Sequence, residues 1–380
     1  MVCEARKTLS GSPRIVILQG GPAGDPAKPT ATVSGDSPSV SVLSWSSLRA
    51  DALGTGMPSI SAAYQSVFAA SERLSARACC VIASKTTTPM QQWICQLMQP
   101  LLEAGCDLVV PDYAHSAFAG LLNAAVVSPL TRSLYGKRIR NPMGPDLGVS
   151  RQLFQKMLGG DRNGRASARM HPLASLAPMA FCANLEVCQV YGGARVYPQT
   201  DWTNISSLVA QVLGPVFLDV ERNAGCWQRT RGSVSLRGVG DAMPAVEEPG
   251  TVDISRMAES FQLGIRDLRE IWSLVLPPTT LLELTKLSRL APDRFRMRDE
   301  LWVHIVYDFA LGHRLRTINR DHLLGSFTPL YLGWVASFVR ELETAGAAAR
   351  EQRLERLALA YEAAKPYLVS RWRWPDRFSP

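Results

Sequence analysis

Residues 78–111 constrain this chain most, because two different periods of burial follow one another there. Ala78, Cys79, Cys80, Val81 and Ile82 form a continuous apolar run closed by Ala83, Ser84, Lys85 and Thr86. A run of that length bounded by small and hydroxyl residues suits a strand covered on both faces. Trp93, Leu97 and Leu101 then recur at helical spacing, and after Gly105 the residues Leu108, Val109 and Val110 make a second apolar run. Strand, helix and strand in that order predict an α/β fold. In such folds ligands bind beyond the carboxyl ends of the strands, which places Ala83, Ser84 and Lys85 where chemistry would sit.

Farther on, the chain reads Ser128, Pro129, Leu130, Thr131, Arg132 and then Tyr135, Gly136, Lys137, Arg138, Ile139, Arg140. It continues with Asn141, Pro142, Met143 and the turn Gly144, Pro145, Asp146. Together with the tryptophan-led helix, these motifs resemble the GT-A-fold, nucleotide-sugar-dependent glycosyltransferases of the glucosyl-3-phosphoglycerate synthase and mannosylglycerate synthase type. The resemblance spans residues 54–221 and is most specific over 93–150. It implies a GT-A, Rossmann-like sheet with a C-terminal all-helical extension, a nucleotide-sugar donor, a Mg2+ or Mn2+ cofactor, and a homodimer paired through the helical extension.

The same resemblance locates the departures. Where relatives place two aspartates that hold the cation, this chain has Ala83 and Lys85. Alanine offers no ligand atom, and lysine carries charge of the metal's own sign, so the diphosphate loses its usual counter-charge. A glycine-lysine-glycine segment that meets the diphosphate corresponds to Gly54, Thr55 and Gly56, which keep the permissive backbone without the cation. A further metal-contacting histidine corresponds to Tyr197. No cofactor is therefore expected, the family's metal ligands being lost.

What remains is a short set of candidate residues. Asp146 matches a carboxylate that faces the sugar in relatives, and Lys85 could take over from the cation as a point charge beside the diphosphate. Gly54, Thr55, Gly56 and Ser84 line the expected donor side. Asn123, in the loop Gly120, Leu121, Leu122, Asn123, matches the acceptor-contacting loop, although Leu122 stands where relatives show threonine. Arg132, Lys137 and Arg138, with Arg140, form a basic cluster suited to an acceptor's phosphate or carboxylate.

Two functions follow from these residues. One is a catalytically degenerate glycosyltransferase, a pseudoenzyme acting as a binding or regulatory subunit beside itself or an active relative. The other is a metal-independent, retaining hexosyltransferase that passes a sugar to a small hydroxy acid such as a glycerate derivative.

Composition narrows the alternatives. A net charge of +8 raises the question of nucleic acid, but the basic residues are spread and no recognition motif interleaves them, so no nucleic-acid partner is expected. No uninterrupted apolar run reaches the roughly 18 residues of a membrane helix. The first residues lack a signal peptide's apolar core, and the expectation is a cytoplasmic protein. Eight cysteines are scattered without paired metal-ligand spacing, which predicts reduced, buried thiols rather than disulfides. Neither a dinucleotide fingerprint at Gly238 and Gly240 nor a nucleophile elbow is present.

Along the chain the expected organisation is a glycosyltransferase-like domain over residues 1–228, a linker or long loop over 229–253, and a helical domain over 254–380. Apolar spacing of three and four predicts helices over 254–274, 281–290, 297–311, 331–344 and 347–365. The tail from Arg371 to Phe378 alternates cations with aromatics. Docking of that tail on its own helical domain is the expectation, with a membrane surface or a neighbouring subunit as the alternative.

Overall fold

The computed structural model describes residues 14–20, 40–45, 60–82, 90–113, 118–159, 171–191, 200, 202–240, 252–291 and 294–375. The fold is mixed α/β with a helical C-terminal part. Two compact units interleave along the chain: the first takes 1–112, 143–195 and 237–242, the second 113–142, 196–236 and 243–380.

In the first unit, strands β1 (Ile15–Gly20) and β2 (Val40–Trp45) form a parallel pair. The main sheet has five strands in the order β3 (Ala78–Val81), β6 (Leu147–Ser150), β4 (Leu108–Asp112), β7 (Val187–Tyr191) and β9 (Arg237–Val239). β6 runs antiparallel to both β3 and β4, while β4, β7 and β9 pair in parallel. Helices α1 (Ile60–Arg73), α2 (Met90–Glu103), α4 (Arg151–Gly159) and α5 (Pro172–Cys182) complete this unit.

α2 lies unusually close to β6. A Cβ placed on Gly148 would stand 2.7 Å from the Leu97 carbonyl oxygen and 2.8 Å from Leu101 Cδ1. Only a residue without a side chain lets the helix backbone settle there. Within this unit Phe68, Leu97, Val109, Val149, Phe154 and Val190 are all but fully buried.

The expectation of reduced thiols is corrected here. Cys106 and Cys188 form a disulfide across a sequence separation of 82 residues, and Cys182 is also disulfide-bonded. Cys79, Cys80 and Cys95 are free. Spacing could not reveal the bridge: Cys106 precedes β4 and Cys188 lies within β7, so the two meet only because those strands pair.

The second unit holds α3 (Ser128–Tyr135), β5 (Lys137–Arg138), α6 (Ile205–Arg222), α7 (Ala224–Trp227) and β8 (Val234–Ser235). It continues with α8 (Ile254–Asp267), α9 (Arg269–Ser273), α10 (Pro278–Ser288), α11 (Asp299–Leu315), α12 (Arg320–Leu342) and α13 (Ala347–Arg373). β5 pairs in parallel with β8. Part of segment 229–253 is thus strand: β8 joins this unit, and β9 joins the main sheet of the first.

α12 starts eleven residues before its expected onset at 331, at Arg320. The Asn319 side chain accepts from the backbone N–H groups of Asp321 and His322 and so caps the helix. Its first turns are less evenly apolar and Pro329 lies inside it, which hides the helix from a periodicity reading. α12 packs closely on α8 through two glycines: a Cβ at Gly264 would meet Pro329 Cβ at 2.7 Å, and one at Gly333 would meet Phe261 Cδ2 at 2.7 Å.

A five-residue π-helix, Asn123–Val127, precedes α3. The Ala125 carbonyl accepts from Trp302 Nε1–H at 3.0 Å and from the Tyr361 hydroxyl at 2.8 Å. Arg353, 5% exposed, donates to both carboxylate oxygens of Asp299 and to Glu341, tying α13 to the start of α11 and the end of α12.

The segment Trp202–Arg222, which contains α6, is long and apolar enough by composition to cross a membrane. Within its unit it behaves as a core helix: Val209, Leu213 and Phe217 are buried, and Asp219 accepts the Tyr135 hydroxyl at 2.9 Å.

Candidate functional site

Asp146 stands immediately before β6, and the register carries it to the carboxyl ends of the flanking strands. Leu147 pairs with Val81 at the end of β3, so the residue before it lies beside Ile82. The antiparallel run past β4 places it next to the level of Pro111. This is the edge at which open α/β sheets bind ligands, because strand ends and loops there leave a crevice.

At that edge Asp146 is 0% exposed. Trp93, at the start of the inward face of α2, donates its indole Nε1–H to Asp146 Oδ2 at 3.2 Å. Tyr64, from α1, donates its hydroxyl to the Pro145 carbonyl at 3.3 Å. Two helices therefore grip the Gly144, Pro145, Asp146 turn from separate points. Burial, reinforced by the Asp146 charge and by Cys79, pushes the Tyr64 hydroxyl far above its ordinary pKa. Burial, then Cys79, then Asp146 likewise push the Cys80 thiol up, so it is an inert thiol rather than a nucleophile. Nearby, Gln96 donates to the Tyr191 carbonyl at the end of β7 at 3.5 Å.

Ala83, Ser84, Lys85, Gly54, Thr55, Gly56 and Tyr197 lie outside the described residues. The remaining candidates fall in the second unit. Asn123 donates to the Arg140 carbonyl at 2.7 Å and to Asn141 Oδ1 at 3.1 Å, which stitches the start of the π-helix to the segment just after β5. Arg132 is 5% exposed and held by two carboxylates: both guanidinium nitrogens Nη1 and Nη2 reach Glu355, and Nε reaches Glu362 at 2.5 Å. Such a bidentate pair plus a third charge-assisted bond is a structural tie, and an incoming anion would have to displace it. Arg138 is exposed and donates to Ser233 Oγ at 3.2 Å, and Arg140 pairs with Glu351. Lys137, in β5, is half-buried. The basic cluster read from sequence is therefore in large part neutralised by acidic residues of α13, which lie more than two hundred positions later in the chain.

Sequence reasoning missed Trp93 and Tyr64 as the groups that hold Asp146. The available signal was helical phase alone: Trp93 shares its buried face with Leu97, and an indole facing the sheet needs an acceptor. It also missed a buried cluster in which the Tyr367 hydroxyl donates to both Asp308 carboxylate oxygens at 2.9 Å and Arg371 Nε lies 3.1 Å from Oδ1. Burial pushes the Asp308 carboxyl up to about 7 against the opposing pull of Arg371 and Tyr367.

Among the described residues no group of three His, Cys, Asp or Glu side chains could hold a divalent cation, and an Asp146 oxygen is engaged by an indole N–H. No protein family matches the sequence, and no curated protein matches it either.

Proposed function

We propose that this chain is a GT-A-type glycosyltransferase scaffold that has lost catalysis and serves as a binding or regulatory subunit, for itself or for an active relative, with a nucleotide sugar as its ligand. The observation that carries this reading is the state of Asp146. It is the acidic residue retained from the resembling turn, yet it is fully buried and bonded to Trp93, so it holds the turn in place instead of presenting oxygen to a sugar. The substitutions at Ala83, Lys85, Thr55 and Tyr197 support the same conclusion, since each removes a metal or diphosphate contact expected from the resemblance.

Titration calorimetry with UDP-glucose and GDP-mannose, with and without manganese, tests it together with a hexose-transfer assay on glycerate-type acceptors. The expected result is binding that a chelator leaves unchanged and no transfer. Manganese-stimulated transfer would sink the proposal. Metal-independent transfer that disappears in Lys85→Ala would replace it with the active, retaining hexosyltransferase.

A further inference from the structure

We draw no further inference here: the strongest candidate, the outward face of α13 on which the exposed residues Leu359, Ala363, Pro366 and Ser370 follow one another at helical spacing, is a weakly polar strip, and nothing in the structure shows what covers it.

Discussion

Trp93→Phe is the substitution that separates a structural Asp146 from a ligand-facing one. Trp93 is 1% exposed and Asp146 0%, so no water stands ready to replace the indole donor. Loss of a hydrogen bond to a charged acceptor costs about 1.5–3 kcal/mol. Shrinking a buried indole to a phenyl ring forfeits on the order of 40 Å² of apolar contact, about 1 kcal/mol more. The expected destabilisation is therefore about 2.5–4 kcal/mol, read as a lower urea midpoint with an unchanged denaturant slope. Asp146→Asn keeps the shape and an oxygen able to accept from the indole, so it should cost less than Trp93→Phe. The double variant should reveal a coupling of about 1 kcal/mol or more between the two sites. A loss below about 0.5 kcal/mol in Trp93→Phe, or additive effects in the double variant, would refute the argument that the indole holds the carboxylate. In that case Asp146→Asn should instead leave stability intact and alter nucleotide-sugar binding.

Other expectations rest on separate parts of the molecule. The Cys106–Cys188 bridge closes a loop with a sequence separation of 82, for which loop-closure entropy gives an upper figure of about 4.5 kcal/mol. Cys188→Ala should accordingly lower the thermal midpoint markedly, and a strong reductant should lower the wild-type midpoint by more than it lowers the variant's, which keeps the bridge at Cys182. Gly148→Ala forces a methyl against the Leu97 carbonyl and Leu101 and should cost about 1–3 kcal/mol in chemical denaturation; a neutral result would mean that α2 does not sit where described. His313 is 3% exposed, and burial, with Arg320 and Arg316, holds its pKa down to about 4. Its unfolded form takes up a proton below about 6.5 while the folded form does not, so stability should fall as pH drops from about 6.5 toward 4. His313→Leu should flatten that part of the stability–pH curve relative to wild type, and an identical slope would contradict the assignment.

Local features of this chain were legible because they depend on neighbours in sequence. The run from Ala78 and the spacing of Trp93, Leu97 and Leu101 give β3 and α2, since strand and helix each impose a period that a few residues reveal. The apolar stretch around Trp302 likewise marks α11 as central, and the alternating tail does dock one tryptophan on its own unit. The start of α12 was less legible, because Pro329 sends a breaking signal just before the periodic part and the capping residue Asn319 lies twelve residues ahead of it.

Tertiary pairing decided the rest. Cys106 and Cys188 become partners only through the register of β4 and β7, and spacing had argued for free thiols. Arg132 reads in sequence as an available cation, yet Glu355 and Glu362 reach it from a helix near the other end of the chain. Asp146 reads as a turn carboxylate open to a ligand, yet α1 and α2 close over it. The sequence by itself determined where many of the helices and strands form, because each imposes a period that neighbouring residues reveal. Which charges stay free was decided only when distant segments packed, because a charge is neutralised by whatever lies within a few ångströms, and that distance is set by the fold and not by position along the chain.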